Sequence, residues 1–250
     1  MNRRDRGNRW VYFLIIASCI AAVALWRLDL LLEAWRVTRV NLGHGGPLRW
    51  KLIGEIVLFA LILLATLWTI PTEIRPVHDL TVVLIAAAAG WAAEAWGTRL
   101  GLWRYYTGER PPLWIIPVWP LGTAMIDRIA ARLRAEFGPA PEPLYWLLGA
   151  TALGIALRFS GPWLDQPSGW AVPALVLAAV ACSSDPAEDF WVLAAGMGAV
   201  FFADLWGVTN GCWAYDLRGR FGVGWGIAFG MAFDASTVLI CLRLAREARD

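Results

Sequence analysis

The amino-acid sequence predicts an all-α, polytopic membrane helix bundle of about eight transmembrane helices, and three observations carry that expectation. Of the 250 residues, 58% are hydrophobic and 17% charged, with a mean hydropathy of +0.53, too apolar for a domain with a solvated surface. The apolar residues gather in runs near the ~20 residues that a helix needs to cross a bilayer. One motif recurs after 110 positions, so the helices read as two parallel four-helix repeats.

The runs lie at 10–28, 51–70, 78–97, 112–131, 143–158, 169–183, 188–206 and 221–244. The first follows Arg3, Arg4, Arg6 and Arg9 and ends at "LWRLDLLLEAW" without a small-residue cleavage site, so it reads as a retained helix. The fifth and sixth are short, and the count falls to seven or six if either lies flat or re-enters. After the fourth, "RAEFGPAPEPLY" carries Pro139, Pro141 and Pro143, which forbid a continuing helix and set a linker between halves 1–138 and 139–250. The seventh opens on "SSDPAED". Asp185 as N-cap, Pro186 at the first helical position and Glu188 at the third make a capping box, a simpler account than Asp185, Glu188 and Asp189 as magnesium ligands.

Composition also excludes function classes. A net charge of +2 leaves no nucleic-acid footprint. Cys19, Cys182, Cys212 and Cys241 have no CxxC spacing and read as buried small residues. His44 and His78 are the only histidines, too few for a histidine metal centre, and neither GxSxG nor a phosphate loop occurs. No metal or cofactor is expected. Lys and Arg, the tails included, divide evenly between the two sides, and basic residues in both tails favour cytoplasmic termini. The expected location is a bacterial inner (cytoplasmic) membrane, with membrane lipids as surroundings.

The recurring motif carries the chemistry. "EAWGTRLGLWRY" spans Glu94 to Tyr105 and "DLWGVTNGCWAY" spans Asp204 to Tyr215. Without a gap, Trp96 falls on Trp206, Gly97 on Gly207, Gly101 on Gly211, Trp103 on Trp213 and Tyr105 on Tyr215. Upstream, Trp91 falls on Phe201, each three residues before its acid and on the same helix face by spacing. Each acid lies in the last turn of a membrane helix. Gly97 or Gly207 is expected to end that helix in the left-handed conformation, Gly101 or Gly211 to allow a tight loop, and Trp and Tyr to return an aromatic pair to the membrane interface.

A carboxyl in a membrane helix is costly unless paired or hydrated, and marks function by default. The competing reading is interfacial, since Glu94 and Asp204 stand about one turn, ~5 Å, from their helix ends. Two acids at equivalent places, each followed by the same aromatic loop, favour function. Asp127 precedes Arg128 and has an ion-pair partner available; Asp234, in "MAFDASTV", has no sequence-local cation. An acid among apolar and aromatic surfaces suits one chemistry. Burial keeps a carboxyl protonated, so it can donate to an alkene or epoxide, and ring faces stabilise the carbocation; a second carboxyl tunes the first or removes the terminating proton. That is protonation-initiated cyclisation or hydration of an isoprenoid-type hydrophobic substrate entering from the bilayer. The candidate catalytic residues are Glu94, Asp204 and Asp234. Substrate contacts are expected from Trp91, Trp96, Trp103, Tyr105, Asp127, Phe201, Trp206, Trp213 and Tyr215.

The acid followed by Gly, Gly, Trp and an aromatic at a membrane helix end resembles integral-membrane carotenoid-modifying proteins, namely the lycopene cyclase domain and carotenoid hydratase relatives, and more distantly the membrane terpene cyclases of meroterpenoid pathways. The resemblance implies a bundle of about seven helices that acts without a metal through membrane carboxyls, here Glu94 and Asp204 with Trp103, Tyr105, Trp213 and Tyr215 behind them. It covers the two motif stretches and the helices around them. Lycopene cyclase domains follow the motif with a Pro-x-Glu-Glu element, whereas Ile115 to Gly122 reads "IIPVWPLG". The departure argues against carotenoid cyclisation itself and leaves open another isoprenoid substrate or no chemistry. Tandem repeats around polar sites near helix breaks are also a transporter pattern, so a carrier or binding protein for a lipid or small hydrophobic ligand is the alternative.

Overall fold

The computed structural model of the chain describes residues 3–44, 46–216 and 223–248. It is 84% helical. By packing it divides into two compact units, residues 1–74 and 75–250, a division distinct from the duplication read in the sequence. The first unit holds α1 (Arg3–Trp26), α2 (Leu28–His44) and α3 (Gly46–Thr69). The second holds α4 (Pro76–Leu100), α5 (Val118–Phe137), α6 (Glu142–Ser160), α7 (Ala171–Ala181), α8 (Pro186–Thr209) and α9 (Val223–Glu247). A two-stranded ribbon completes it, β1 (Trp103–Tyr105) and β2 (Trp213–Tyr215).

Among the described residues, six helices are long and apolar enough to cross a membrane: α1, α3, α4, α6, α8 and α9. Their outward faces are apolar, with Leu25, Trp68 and Leu84 exposed, as lipid contact requires. The chain is therefore a helical membrane protein. The expected fourth and sixth spans differ from the rest. α5 has the length but carries Asp127, Arg128, Arg132, Arg134 and Glu136 in its second half, and α7 has 11 residues preceded by a short 3-10 turn at Pro167–Trp170. The stretch between the first and second runs forms α2, with Arg36 paired to Glu33 at 2.7 Å. The expected start of the last run at 221 lies outside the described residues.

Local chemistry sets the helix ends. Pro76 and Pro186 open α4 and α8, which is where proline's fixed φ and missing N–H do least harm. Asp79 Oδ2 reaches back to accept the Arg75 N–H at 3.0 Å, and Asp185 Oδ1 accepts the Glu188 N–H at 3.0 Å, the cap anticipated for α8. The linker between α5 and α6 shrinks to 138–141, because α5 continues to Phe137 and Pro143 fits inside the first turn of α6. All four cysteines are free; Cys241 is buried, but Cys19 and Cys182 are exposed, since lipid accepts a small thiol as readily as protein does.

In the second unit α9 is central and packs on α4, α6, α7 and α8, while α5 packs on α4 and α8. Without a hydrophobic drive between helices in lipid, close backbone approach holds such bundles together. At the α8–α9 contact a Cβ on Gly196 would stand 2.9 Å from Ala235 Cβ. Charges close the bundle at the starts of α4 and α8. Asp127 accepts from Arg75 Nη2 at 2.7 Å and from Arg128, and lies 3.3 Å from His78 Nε2. Arg128, 3% exposed, also holds Asp79. On α8, Asp189 stands 110 positions after Asp79 and accepts from Arg243 Nη2 at 2.6 Å, Arg246 Nη2 at 2.9 Å and Ser183 Oγ at 2.6 Å. Its oxygens are taken by cations of the chain itself.

Removing a buried cation strands its carboxylates at a cost of about 3–5 kcal/mol. Arg128→Ala is expected to lower stability by that order in denaturant unfolding of the detergent-solubilised protein. A loss no larger than that of a surface ion pair, about 1 kcal/mol or less, would show that water enters the cluster.

Candidate functional site

In both motif copies the strand that follows the helix returns a Trp and a Tyr to the acid. α4 and α8 both run to the ribbon, where β1 and β2 pair antiparallel, Trp103 opposite Tyr215, Arg104 opposite Ala214 and Tyr105 opposite Trp213. Each strand lies a few residues past its helix because the helix ends in a two-bond reversal. Leu102 N–H reaches Gly97 O at 2.9 Å and Gly101 N–H reaches Thr98 O at 3.3 Å; in the second copy Cys212 reaches Gly207 at 2.8 Å and Gly211 reaches Val208 at 3.1 Å. This is the Schellman pattern, which requires a left-handed residue. Gly101 and Gly211 supply it, with φ of 73° and 69°. Gly97 and Gly207, expected in that role, are instead helical. Their hydrogen side chains make room for the returning rings, since a Cβ on either would stand 1.9 Å from the six-membered ring of Trp103 or Trp213.

The reversal aims the strand side chains at the acids and not at the membrane interface. Glu94, 5% exposed, accepts from Trp103 Nε1 at 2.9 Å, Tyr105 Oη at 3.0 Å and Trp119 Nε1 at 3.3 Å. Asp204, 3% exposed, accepts from Trp213 Nε1 at 3.1 Å and from Tyr215 Oη at 3.0 Å to each oxygen. An indole and a phenol from its own copy thus satisfy each buried carboxyl, which in apolar surroundings would otherwise lose several kcal/mol. Burial, with Glu94 alongside, holds the Tyr105 phenol well above its ordinary range, and burial with Asp204 does the same for Tyr215. Both stay protonated donors.

Asp234 joins them from α9. It lies close enough to Asp204 and Glu94 to interact with both electrostatically, and among the described residues it holds no hydrogen bond. Gly230, one turn earlier, leaves the space that Asp204 fills: a Cβ there would meet Asp204 Oδ2 at 1.8 Å and Tyr215 Oη at 2.5 Å. Aromatic rings surround the three acids. Trp103 lies 5.8 Å from Phe233, 6.3 Å from Phe229 and 6.4 Å from Tyr215, Trp96 stacks on Phe233 at 6.1 Å, and Phe159 stacks on Phe229 at 3.6 Å.

Of the residues singled out by sequence, Glu94, Asp204, Asp234, Trp96, Trp103, Tyr105, Trp213 and Tyr215 meet here. Trp206 is half-buried, and its carbonyl accepts the backbone and side-chain N–H groups of Asn210. Trp91 and Phe201 do not share the acids' face and are exposed. Three residues fall short of a full turn by about 60°, which leaves these rings on the outer side. Asp127 belongs to the ion cluster where α4 begins. Sequence reading missed Trp119, whose equivalent 110 positions on is Phe229, a ring without an N–H, and the cage of Phe159, Phe229 and Phe233. The i, i+4 spacing of Phe229 and Phe233 beside Asp234 was the available signal; Phe159 had none.

No family model, curated protein or solved structure matches the chain.

Gly97→Ala and Gly207→Ala each drive a methyl into an indole, and overpacking of this kind costs about 1–3 kcal/mol. A drop of that size in unfolding experiments, with blue loss of the buried Trp fluorescence, is expected for either. The tyrosines give a pH signature. A phenol whose folded pKa lies above its unfolded value loses stability as pH rises past about 10. Tyr105→Phe and Tyr215→Phe should flatten that alkaline decline, followed as the unfolding midpoint against pH.

Proposed function

We propose that this chain is an integral-membrane cyclase that closes rings in an isoprenoid or prenylated substrate by protonating it. The observation that supports the reading is the meeting of Glu94, Asp204 and Asp234, from three helices, inside a cage of aromatic rings beneath the ribbon. The fold behind it is proposed as two parallel four-helix repeats, 1–138 and 139–250; the 110-position register, which lays α4 on α8 and α5 on α9, and the antiparallel ribbon between the two motif copies support it.

The three acids have different surroundings, and these suggest their roles. Both Glu94 oxygens are occupied as acceptors, and two of the three donors are indoles, which cannot accept a proton in return. Glu94 anchors the ribbon. Asp234 has no hydrogen-bond donor on it and lies beside Asp204, so it is assigned as the proton donor, with ionised Asp204 as the acceptor that takes the terminating proton and then returns it to Asp234 to close the cycle. In the reaction the Asp234 O–H bond breaks as a C–H bond forms on a terminal alkene carbon. An internal alkene closes a C–C bond onto the cation, and loss of a neighbouring C–H proton to a carboxylate restores an alkene. Atoms balance without a co-reactant, and the net change is isomerisation. Ring faces of Trp96, Trp103, Phe229 and Phe233 stabilise the positive charge on its way.

The carrier alternative has one observation in its favour, a second polar cluster, His78, Asp127 and Arg128, at the far end of the helices that bear Glu94 and Trp119. Turnover separates the readings. An enzyme yields a new product in detergent, whereas a carrier moves an unmodified ligand into sealed vesicles under a proton gradient.

Positioned general acids contribute about 10²–10⁴-fold in rate. Mass spectrometry of extracts from an isoprenoid-producing host is expected to show a cyclised product that depends on the chain, reduced at least about 100-fold by Asp234→Asn and strongly by Asp204→Asn. Glu94→Gln keeps one acceptor oxygen and sets its amide NH2 against a donor that Glu94 had accepted, so it should lower stability in denaturant unfolding while the folded fraction keeps most of its turnover. Wild-type turnover in the Asp234 variant would remove it from the mechanism.

A further inference from the structure

The ribbon that carries Trp103 and Tyr105 down to Glu94 has a second face. Side chains alternate along a strand, so Arg104, between the two rings, projects from the opposite side and is exposed, with only the small Ala214 across from it. Arg99, in the last turn of α4, and Arg110, beyond the tight turn at Gly108, are exposed as well. Among the described residues none of the three holds an ion pair or a hydrogen bond. Glu109, the carboxylate of the same segment, accepts from Trp114 Nε1 at 2.8 Å and Thr107 Oγ1 at 3.3 Å. At the other end of the bundle the pattern is reversed: Arg75, Arg128, Arg134, Arg243 and Arg246 each hold a carboxylate. Three exposed arginines without a side-chain partner among the described residues thus stand in the one stretch, 99–110, that carries the ribbon strand whose rings hold Glu94.

We propose that Arg99, Arg104 and Arg110 seat the diphosphate of an isoprenoid diphosphate, whose hydrocarbon tail passes under the ribbon to the acids. The proposal rests on the cyclase reading and names its substrate class. Guanidinium groups present planar, paired N–H donors that match phosphate oxygens, and a single-sign cluster above an apolar chamber sorts an amphiphile head from tail. The chemistry is compatible, because protonation of a distant alkene breaks no C–O bond to phosphorus and the head group stays in its seat throughout.

The test measures binding to the purified full chain in phosphatidylcholine nanodiscs, with geranylgeranyl diphosphate, geranylgeraniol and inorganic pyrophosphate as probes and phosphatidylglycerol as competitor. The expected result is a preference of at least about tenfold for the diphosphate over the alcohol, or 1.4 kcal/mol. Pyrophosphate should compete, and phosphatidylglycerol should compete far less. The triple variant Arg99→Gln, Arg104→Gln, Arg110→Gln should bind diphosphate and alcohol alike, while Asp234→Asn keeps the preference. Equal binding of the two probes by the wild-type chain overturns the seat whatever the variants do, as does a preference that survives the triple substitution. Loss of the preference to phosphatidylglycerol overturns it too, and makes the arginines a lipid headgroup anchor. Product formed from the alcohol without any head preference would sink the seat alone, whereas a diphosphate preference without product would sink the cyclase alone.

Discussion

The structure of the second unit turns on one contact made twice, a buried carboxyl held by the indole N–H and phenol O–H of the strand that follows it. In hydrocarbon a carboxyl without partners costs several kcal/mol, so donors delivered by the chain that doubles back after Glu94 and Asp204 stabilise both. That requirement selects the left-handed Gly101 and Gly211, the ring space over Gly97 and Gly207, and a strand short enough to present Trp and Tyr on one face. The two returning strands then satisfy their own backbone groups on each other. Helix end, ribbon and acid are one device, and loss of any part strands the rest.

The motif occurs twice, and the surroundings of its two copies differ. Glu94 gains a third donor, Trp119, from α5. Asp204 gains an acid neighbour, Asp234, from α9, and fills the space left by the missing side chain of Gly230. One copy is saturated and suited to holding the ribbon. The other keeps a carboxyl without a hydrogen-bond donor, the state from which a proton can leave. A symmetric frame therefore carries an asymmetric centre, with the distinction made by the helix after each ribbon strand and not by the motif itself.

The two ends of the bundle handle charge in opposite ways. Where α4 and α8 begin, Asp79, Asp127 and Asp189 take up arginines from α5 and α9, and acids in a first helical turn also suit the positive end of the helix dipole. Where the same helices end, the acids turn inward to neutral donors, and among the described residues the exposed Arg99, Arg104 and Arg110 hold no ion pair. Pairing at one end gives rigidity.

Composition and run length alone determined that the chain is an apolar helical membrane protein, because the energetic demand of the bilayer is written residue by residue. The duplicated acid and its aromatic partners were legible for the same reason: spacing within one helix end is a local property. Asp185 as a cap was read correctly on that basis. Long-range placement was not legible. Gly97 could be assigned its true role only once Trp103 was known to fold back over it, and Trp91 could be turned outward only once the inner face of α4 was set by its neighbours. Trp119, Phe159 and the contrast between Glu94 and Asp234 depend on which helices touch, and helix packing in lipid is decided by close contact between surfaces distant in sequence. Tertiary structure therefore decided the centre's membership, while the sequence by itself determined that a centre would form.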